Sequence, residues 1–467
     1  MKLPLSRVAE FLSATGEFDH KQIAQAYSID SRTIEPGELF FAVKGDRMDG
    51  HDFVQQALEK GAVAAVVRKD QLARYPVKAG LLGVSDTLVA LQTLGAAVRR
   101  LWGRTLVGVT GSTGKTTTKE AIAHVLSSRF RVLKSAGNFN NHFGLPLMLL
   151  KIEAEHEAAI IEMGMSHRGE IAALAKIAQP GMGVVTNVAP VHLEFFKSVA
   201  EIARAKYELI ESLPAGGTAV LNADDEYVAQ FGRDFHGKVV WYGFHSSADV
   251  RAENIKPRGA AGSVFDVVAG GCREPATLPL VGTHNIYNAL AAVAVAMERG
   301  LSPSEAASAL ATLAAADKRG VVVQLGNITV INDCYNSNPT ALDAMVDTLA
   351  TMPARRRIVV AGEMLELGPA GEELHRRAGQ HMAENGIDIV LGVRGLARQI
   401  VEGASQARVQ TEFVATPEEA GEWLAREGRE GDVVLLKASR GVNLERALES
   451  LVRHQSSVVR KSKTAED

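Results

Sequence analysis

Residues Val107–Thr118 read V-G-V-T-G-S-T-G-K-T-T-T, and the rest of the chain is organised around this stretch. The apolar run Leu106–Val109 predicts a buried strand, and the threonines after Lys115 open a predicted helix that extends to about Ser128. A glycine-rich turn between a strand and a helix directs backbone N–H groups at an anion, and the helix dipole favours negative charge there. The stretch therefore predicts a phosphate-binding loop.

The spacing of this loop differs from the common pattern. A strict G-x4-G-K-[ST] motif requires glycine at position 109, which is Val109 here, so the loop is the shorter Gly111–Thr116. Lys115 is suited to reach the β- and γ-phosphates of a nucleotide, and the Thr116 hydroxyl is suited to bind Mg²⁺. The alternative is a glycine-rich turn without a ligand. Two close glycines followed by lysine and threonine favour phosphate binding.

The bulk composition is that of an ordinary globular protein. The 467 residues are 46% hydrophobic and 22% charged with a formal net charge of −3, so nothing indicates a nucleic-acid or membrane-surface partner. At roughly 150 residues per domain, the length suggests about three domains. Cys272 and Cys334 form no metal-binding pattern, which fits a reducing, cytoplasmic setting. We expect neither a membrane span nor a signal peptide, because no run of about 18 apolar residues occurs and Arg7 and Glu10 interrupt the apolar N-terminus.

Alternating strand and helix patterns predict an α/β protein of three domains. A small α/β domain covers residues 1–103, a central domain covers 104–316, and a Rossmann-like domain covers 317–467 and ends in a flexible polar tail from His454. Near-continuous apolar strands in the central domain indicate a mostly parallel sheet with helices on both faces. Its strands are predicted at Leu106–Val109, Val132–Leu133, Ala158–Met163, Val184–Val188 and Ala219–Leu221. Those of the last domain are predicted at Thr329–Ile331, Ile358–Ala361, Ile387–Leu391 and Val433–Leu436.

Ligands of such sheets gather beyond the carboxyl ends of the strands, so the polar residues there are candidates for function. Glu162 ends a predicted strand and is placed to complete a Mg²⁺ shell beside the phosphate loop, although a salt-bridged glutamate is the alternative. His192 lies just past the strand Val184–Val188 and is either a functional histidine or a hydrogen-bonded structural one. Lys206 lies in a predicted helix, Val199–Leu213, where the sequence alone indicates a surface lysine.

Two groups of amide side chains are further candidates. Asn138, Asn140 and Asn141 carry donors and acceptors that suit a peptide or a uracil edge, but asparagine and glycine also dominate plain turns. Asn285 and Asn288 are three residues apart and share one face of a predicted helix. They either read an adenine edge or satisfy the N-terminus of the helix.

Three polar residues of the first domain are candidates for a phosphorylated ligand. They are Ser31, Arg32 and Lys44, and they lie in two predicted loops. Arginine matches phosphate oxygens with two N–H groups, which supports this interpretation. The alternative is charge on solvated loops.

These motifs occur in the order seen in the Mur ligases, which the chain resembles over nearly its whole length. The resemblance rests on the phosphate loop, Glu162, the His192 segment, A-K-Y-E around Lys206, and H-N-x-x-N-A-L-A-A from His284. Mur ligases are three-domain, ATP-dependent enzymes that form amide bonds in bacterial cell-wall synthesis. The resemblance implies that the first domain holds a UDP-sugar, the central domain holds ATP, and the third domain closes over the reacting groups.

Three stretches narrow the substrates that the resemblance implies. Asp30–His51, Gly137–Leu147 and Asp333–Pro339 resemble the Mur-type ligase that joins D-alanyl-D-alanine to a UDP-N-acetylmuramoyl-tripeptide through an acyl phosphate. The product is the pentapeptide precursor of peptidoglycan, and we expect a monomer whose partners are these small molecules. The alternatives are the ligase that adds the third amino acid, folylpolyglutamate synthase, and a nucleotide-binding switch without catalysis.

The resemblance also implies roles for individual residues around ATP. Two Mg²⁺ ions are implied, the first bound by Thr116 and Glu162, and the second by His192 and by Lys206 after its reaction with CO₂ to a carbamate. Catalytic roles are implied for Lys115, Lys206, His192 and Arg319, with Arg319 on the γ-phosphate. ATP-binding roles are implied for Gly111, Ser112, Thr113, Gly114, Lys115, Thr116, Thr117, His284, Asn285, Asn288 and Asp333.

Substrate contacts are implied in the first, central and third domains. The residues concerned are Ser31, Arg32, Lys44, Asn138, Asn140, Asn141, Tyr335, Asn336 and Asn338. The third domain departs from the family pattern at two places. Arg319 follows Lys318 and precedes Gly320, and Ala438 replaces the glycine of a Lys-Gly-Ser-Arg loop.

Overall fold

The computed structural model describes residues 1–76, 79–405 and 408–463, with side chains through residue 454. The first part of the chain forms a four-stranded parallel sheet in the order β3-β4-β5-β6 and a two-stranded antiparallel pair, β1-β2. The elements in chain order are β1 (Leu3–Pro4), α1 (Leu5–Leu12), β2 (Ile23–Ala24), β3 (Ala26–Ser28), β4 (Glu38–Phe41), α2 (Val54–Glu59), β5 (Ala64–Arg68), β6 (Leu81–Val84) and α3 (Thr87–Trp102).

Helix α3 links this sheet to the next part of the chain. The Asp86 side chain accepts a hydrogen bond from the Val89 N–H and caps its start, and Gly103 ends the helix in the left-handed conformation. Leu91, Leu94 and Val98 recur at helical spacing and are fully buried. The helix therefore presents one wall of the cavity described below while its apolar face is held in the core.

The central sheet has nine strands in the order β15-β14-β13-β12-β11-β10-β7-β9-β8. It is parallel from β8 to β13 and antiparallel across β13, β14 and β15. Strand β15 forms one end of the sheet and carries Pro275 directly after the charged residues Arg273 and Glu274. The elements are β7 (Leu106–Thr110), α4 (Lys115–Leu126), β8 (Val132–Lys134), α5 (Gly144–Leu150), β9 (Ala158–Glu162), α6 (Glu170–Ala178), β10 (Met182–Val185), α7 (Val199–Glu211), β11 (Thr218–Asn222), β12 (Lys238–Gly243), β13 (Val250–Pro257), β14 (Ser263–Ala269), β15 (Cys272–Leu278), α8 (His284–Glu298) and α9 (Pro303–Leu310).

Helix α8 is buried on almost every side. All residues from Asn288 to Ala296 are buried, and most of them are alanine or valine. Small side chains let α8 pack closely against α4, the helix that follows the phosphate loop. An apolar helix of this kind belongs to the core, and here it fixes the position of α4 behind the loop.

The third part of the chain forms a six-stranded sheet in the order β16-β17-β21-β18-β19-β20, in which only the β16-β17 pair is antiparallel. Its elements are β16 (Val321–Leu325), β17 (Ile328–Asn332), α10 (Pro339–Ala350), β18 (Arg356–Gly362), α11 (Gly371–Glu384), β19 (Ile389–Val393), α12 (Ala397–Ala404), β20 (Gln410–Val414), α13 (Pro417–Glu427), β21 (Asp432–Lys437) and α14 (Glu445–Lys463). Short 3-10 helices lie at Gly50–Phe53, Lys69–Arg74, Val228–Gln230, Gly259–Ala261, Gly368–Ala370 and Arg440–Val442.

The predicted fold class is confirmed, and several details differ. The parallel strand β10 ends at Val185 rather than Val188, because the next residues turn toward the phosphate loop. Strands β12 to β15 of the central sheet, and β16 and β20 of the third sheet, were not predicted. The chain after His454 continues the helix α14 to Lys463 where the sequence predicts a flexible tail, and residues 464–467 lie outside the described residues. The predicted domain boundaries stay predictions.

Candidate active site

A cavity of about 1190 Å³ lies between helix α3, the central sheet and the third sheet. Helix α3 contributes one wall, the phosphate loop and the carboxyl ends of the central strands form its floor, and loops of the third sheet form another wall. The predicted site residues that line it are Ser112, Thr113, Gly114, Lys115, Thr116, Thr117, Asn140, Asn141, Glu162, His192, His284, Asn285, Asn288, Arg319, Asp333, Tyr335, Asn336 and Asn338. Residues far apart in sequence are thus brought to one place.

Two glycines give the phosphate loop its shape. Gly111 has a φ of 151°, and a Cβ there would lie 1.8 Å from the Thr186 hydroxyl oxygen. Gly114 has a φ of 76°, and a Cβ there would lie 2.6 Å from Oδ1 of Asn288. Since α4 begins at Lys115, its first N–H groups have no acceptor within the helix. The loop therefore has the backbone shape and the free donors that an anion requires.

The loop after β10 braces the phosphate loop from one side. The Thr186 hydroxyl donates to the Thr113 carbonyl at 2.6 Å. The Asn187 Oδ1 accepts from the Thr113 N–H at 2.9 Å, and its Nδ2 donates to the Thr113 hydroxyl at 2.7 Å. Ser112 is held in the same way, because its hydroxyl accepts from the Ala189 N–H at 2.8 Å. The conformation of the loop thus depends on contacts beyond its own sequence.

Lys115 lies folded back over the phosphate loop. Its Nζ donates to the Gly111 carbonyl at 2.8 Å and to the Ser112 carbonyl at 3.3 Å. Burial lowers the pKa of Lys115, Glu162 partly offsets that shift, and the nearby Arg319 adds to it. The ammonium therefore has only neutral carbonyl partners and is free to turn toward a phosphate.

Glu162 gathers several polar groups at the end of β9. Its Oε2 accepts from the Thr116 hydroxyl at 2.8 Å, and its Oε1 accepts from Nδ2 of Asn140 at 2.9 Å. The Ser135 hydroxyl accepts from the Glu162 N–H at 3.0 Å, which holds the backbone in place. The alternative of a salt-bridged glutamate is not observed: among the described residues the hydrogen-bond partners of this buried carboxylate, Thr116 and Asn140, are both neutral. A carboxylate and a hydroxyl oxygen that meet beside the phosphate loop are suitable Mg²⁺ ligands.

Arg319 reaches the phosphate loop from the start of the third sheet. Its Nη2 donates to the Thr116 hydroxyl at 2.9 Å. The guanidinium carbon lies 3.9 Å from the ring centroid of Tyr335, so the cation stacks on that aromatic face. The neighbouring Lys318 has a φ of 57° and pairs with Glu445 at 3.0 Å. These contacts aim Arg319 at the site where a nucleotide triphosphate would lie.

His192 lines the cavity and is paired across the interface with the third sheet. Its Nδ1 lies 2.5 Å from Oε2 of Glu366, and the Glu194 N–H donates to the Glu366 carbonyl at 3.3 Å. Both His192 and Glu366 have positive φ, 55° and 64°. The hydrogen bond from His192 lowers the pKa of Glu366.

Lys206 is a buried cationic residue on α7, contrary to the surface position that the sequence alone indicates. Its exposed fraction is 2%. Within the described part of the chain it forms no hydrogen bond or ion pair. Burial, with a smaller contribution from Lys115, lowers the pKa of Lys206 well below its ordinary value. Lys206 does not line the cavity itself, and its amine favours the uncharged form.

The amides of α8 are engaged within the protein. Asn288 accepts from the Thr118 hydroxyl at 2.9 Å and donates to Asn285 at 2.9 Å, and Asn285 donates to the Val281 carbonyl at 2.7 Å. Both amides line the cavity. They therefore tie α8 to α4, and the predicted adenine contact stays a prediction.

His284 and Asp333 face each other across the domain interface. Burial lowers the pKa of His284 to about 4, although Asp333 works in the opposite direction and Lys437 adds to the lowering. In the described part of the chain, no group hydrogen-bonds to the buried Nδ1 of His284. Lys437 Nζ donates to Oδ2 of Asp333 at 2.5 Å.

The asparagine stretch of the central domain splits into different environments. Asn140 contacts Glu162, as described, whereas Asn141 accepts from the Gly144 N–H at 2.9 Å and caps α5. Asn138 is exposed and lies outside the cavity wall. In the third domain, Asn338 caps α10 by accepting from the Ala341 N–H at 3.0 Å, and the Asn336 Oδ1 accepts from the Ser337 N–H.

The three candidates of the first domain do not line this cavity. Ser31 is buried and donates to Gln56 Oε1 at 3.1 Å. Arg32 is exposed and pairs with Asp30, and Lys44 is exposed in a short loop. Their predicted role in binding a phosphorylated ligand stays a prediction.

Several cavity residues were missed by the sequence reasoning. Thr186 and Asn187 lie within the predicted strand Val184–Val188, and Asn222 and Asp224 come at or just after the end of β11. Asp224 accepts from the Tyr287 hydroxyl at 3.0 Å. The rule that ligands gather beyond strand ends would have found the residues after β11.

The donor set suits a metal held jointly with a phosphate. Among the described residues, no cluster of three or more His, Cys, Asp or Glu side chains is arranged to hold a metal ion. Mg²⁺ is commonly bound through one or two protein oxygens together with substrate phosphates and water. The pair of Thr116 and Glu162 next to the phosphate loop fits that requirement.

Comparison with known proteins defines the class to which this fold and site belong. Three family models match the chain: "Mur ligase family, catalytic domain" over residues 24–98, "Mur ligase middle domain" over 109–296, and "Mur ligase, glutamate ligase domain" over 318–440. The chain belongs to the Mur ligase family, as the sequence motifs predicted.

The chain is similar to individual proteins of this family over nearly its whole length. The chain is 34% identical to the UDP-N-acetylmuramoyl-tripeptide–D-alanyl-D-alanine ligase of Bacillus subtilis (strain 168), over 97% of this chain and 99% of that protein. A crystal structure of MurF from Acinetobacter baumannii superposes with a TM-score of 0.87 at 30% identity, over 97% of this chain and 99% of that one. The MurF ligase of Thermotoga maritima in complex with ADP gives a TM-score of 0.82 at 29% identity, over 93% and 98%.

In the described part of the chain, none of the helices combines the length and the apolar character needed to cross a bilayer.

Proposed function

We propose that this chain is the ATP-dependent ligase that joins D-alanyl-D-alanine to a UDP-N-acetylmuramoyl-tripeptide. The observation that carries the proposal is the convergence of Lys115, Thr116, Glu162 and Arg319 around the phosphate loop, in a cavity between α3, the central sheet and the third sheet. Near full-length similarity to curated ligases of that name supports the choice of substrates. We infer a cytoplasmic reaction, because the proposed substrates are nucleotides.

The proposed reaction solves the problem that a carboxylate is a poor acylating agent. An oxygen of the tripeptide's terminal carboxylate attacks the γ-phosphorus of ATP, the bond to the β-phosphate oxygen breaks, and ADP leaves. The neutral amine of D-alanyl-D-alanine then attacks the acyl carbon of the acyl phosphate. The tetrahedral intermediate loses inorganic phosphate and a proton, and an amide remains.

The side chains are proposed to position ATP and to neutralise the charge of its phosphates. Lys115 turns from its carbonyl partners to the β- and γ-phosphates, and Arg319 contacts the γ-phosphate from the third domain. The phosphate loop holds the remaining oxygens through its N–H groups. Closure of the third domain keeps water away from the acyl phosphate, whose hydrolysis would consume ATP without product.

Two Mg²⁺ ions are part of the proposal. Thr116 and Glu162 would bind the first, and His192 and a carbamate of Lys206 would bind the second. When bound, the ions would neutralise phosphate charge. Only a neutral amine reacts with CO₂, and burial lowers the pKa of Lys206, which favours that form. The carbamate would place an oxygen anion, suited to a hard metal, at the end of this side chain.

The test is a product assay with defined substrates. The protein is incubated with ATP, Mg²⁺ and a UDP-N-acetylmuramoyl-tripeptide that carries either lysine or diaminopimelate, with and without D-alanyl-D-alanine. We expect phosphate release that requires the dipeptide, and a product whose mass equals the two substrates minus water. Turnover with free glutamate, lysine or diaminopimelate as the amine, and none with the dipeptide, would instead support one of the related ligases.

A further inference from the structure

Two loops meet at the edge of the cavity, one from the central sheet and one from the third sheet. The central loop contributes His192 and Glu194, and the other loop contributes Glu366 and Gly368. His192 and Glu366 are 174 positions apart in the sequence. The contact therefore exists only when the third domain is docked on the central domain.

The meeting point is built from backbone as well as side chains. The Glu194 N–H donates to the Glu366 carbonyl at 3.3 Å. Gly368 has a φ of 55°, and a Cβ there would lie 3.2 Å from the Glu194 Cα, so the two loops approach closely. His192 and Glu366 themselves adopt left-handed backbone conformations, with φ of 55° and 64°. Such conformations in non-glycine residues persist where the surrounding structure holds them, often at functional sites.

The contact with Glu366 gives the two nitrogens of the His192 ring different roles. Nδ1 lies 2.5 Å from Oε2 of Glu366, and a carboxylate can only accept, so Nδ1 carries the proton. In a neutral imidazole the other nitrogen, Nε2, then holds the lone pair. Metal-binding histidines usually donate their second N–H to a carboxylate or carbonyl, which fixes the tautomer and the ring orientation.

We propose that Glu366 is a positioning residue, supplied by the third domain, that fixes the tautomer of His192 so that Nε2 is the nitrogen available to a cation. The inference rests on the proposed function, in which His192 binds the second metal ion. Under this proposal, metal affinity depends on domain docking, because the second metal site reaches full affinity only when the loop of Glu366 is in place.

The competing explanation is a partly exposed ion pair with no role beyond docking. Pairs of this kind contribute little to stability. The two explanations differ in what they predict for metal affinity. A docking contact alone changes how often the domains meet, whereas a positioning carboxylate changes the intrinsic affinity of His192 for the cation.

The experiment uses Mn²⁺ as the probe, because its electron spin resonance signal reports free and bound metal. The full chain is saturated with ADP and bicarbonate and titrated with Mn²⁺, for the parent and for Glu366→Gln, Glu366→Ala and His192→Asn. Glu373→Gln is the matched control, since Glu373 is a glutamate of the same domain that pairs with Arg376 and Arg377 on the surface of α11.

We expect two bound Mn²⁺ in the parent, with the second bound about 10- to 100-fold more weakly in both Glu366 variants and unchanged in the control. The ¹⁵N spectrum of labelled histidine should show a single Nδ1-protonated tautomer for His192 in the parent and a mixture of tautomers in Glu366→Ala. Thermal unfolding of each variant checks that it is folded.

Two results would overturn the inference. One is an unchanged second Mn²⁺ affinity in both Glu366 variants, and the other is a second Mn²⁺ that stays in His192→Asn, because Glu366 would then have no ligand to position. Amide formation by the parent is measured in the same preparations, and this measurement tests the proposed function separately. A parent that forms product while both Glu366 variants bind the second Mn²⁺ as tightly as the parent would leave the function standing and remove the inference.

Discussion

At the scale of single residues, this site is defined by ionisable groups that burial pushes toward their uncharged forms. The pKa values of Lys115, Lys206 and His284 are all lowered, in each case chiefly by burial. Each of the three lies in or beside a region that is proposed to receive a highly charged nucleotide. Glu162 and Asp333 offset the lowering at Lys115 and His284 only in part, so an added anion would favour the charged forms of both, whereas Lys206 is proposed to become an anion itself.

His284 makes the stability of the protein depend on pH. Its pKa is about 4 in the folded chain against 6.5 ordinarily, so below pH 6.5 the unfolded chain binds a proton that the folded chain does not. The free energy of unfolding therefore falls as the pH drops from about 6.5 to about 4, and His284 has no such effect above that range. Between pH 7 and pH 5 we expect the free energy of unfolding, measured with urea, to fall less in His284→Gln than in the parent. The expected difference is on the order of 2 kcal/mol. His245→Gln, which removes an exposed histidine, is the control, and an equal pH dependence in His284→Gln and the parent would contradict the prediction.

Lys206 is expected to be essential to ligation and dispensable for folding. Lys206→Ala removes a buried amine that has no protein partner, so the variant should fold, and its rate of amide formation should fall by about 10²-fold or more. An added short-chain carboxylate should restore part of the rate, because it can take the place of the carbamate. Lys197→Ala, at an exposed lysine near the start of α7, should behave like the parent. Full activity in Lys206→Ala would remove the carbamate from the mechanism.

At the scale of elements, the phosphate loop is held by the loop that follows β10. Thr186 and Asn187 together bond to the carbonyl, the N–H and the hydroxyl of Thr113. The two glycines that shape the loop are in contact range of Thr186 and of Asn288 on α8. Its conformation is therefore set by neighbours on both sides.

Removal of one of these braces should weaken nucleotide binding. Thr186→Val keeps the shape of the side chain but removes the 2.6 Å donor of the Thr113 carbonyl and leaves the more distant Asn187 Nδ2 at 3.4 Å, so we expect ADP to bind about 3- to 10-fold more weakly by calorimetry. Thr87→Val is the matched control, because Thr87 is also buried and donates to a carbonyl, that of Ala42, in the first domain. Both variants should lose about 1–3 kcal/mol of unfolding free energy. If the two variants bound ADP with equal affinity, the hydrogen bond from Thr186 to Thr113 would have a structural role only.

How far the sequence could predict this site depends on the range of the interactions. The phosphate loop and Glu162 were found because an apolar strand followed by a distinctive turn is a local signal. Thr186 and Asn187 were hidden inside an apolar run that resembles a longer strand. The contacts of Arg319 with Thr116 and of His192 with Glu366 join residues 203 and 174 positions apart, and no local pattern records such pairs. Strands β13 to β15 were missed because polar residues, prolines and the Gly270-Gly271 turn interrupt their alternation.

At the scale of the whole molecule, the cavity is complete only when α3, the central sheet and the third sheet come together. The central sheet supplies the phosphate loop, the third supplies Arg319 and Asp333, and Glu366 of the third contacts the lining residue His192. Arg319 contacts Thr116 directly while it stacks on Tyr335 of its own domain. Assembly of the reacting groups is thus coupled to the position of the third domain.

Arg319 should therefore affect catalysis more than nucleotide binding. In Arg319→Ala we expect kcat to fall by about 10²- to 10³-fold, with a change of only a few-fold in ADP affinity, because the phosphate loop still holds the nucleotide. Arg319→Lys should recover only part of the rate, since an ammonium keeps the charge but loses the stacking on Tyr335. Single-turnover phosphate release and ADP calorimetry measure the two quantities. Arg446→Ala, at a surface arginine of α14, is the control.

The end of the nine-stranded sheet at β15 bears on how the protein behaves in concentrated solution. An unprotected edge strand offers a row of backbone groups that can template fibrous aggregation. On β15, Pro275 has no N–H to offer, and Arg273 and Glu274 place charge beside it. Helix α9 also lies against the strand. Pro275, the neighbouring charges and the packing of α9 therefore disfavour the addition of a further strand from another molecule at this end of the sheet.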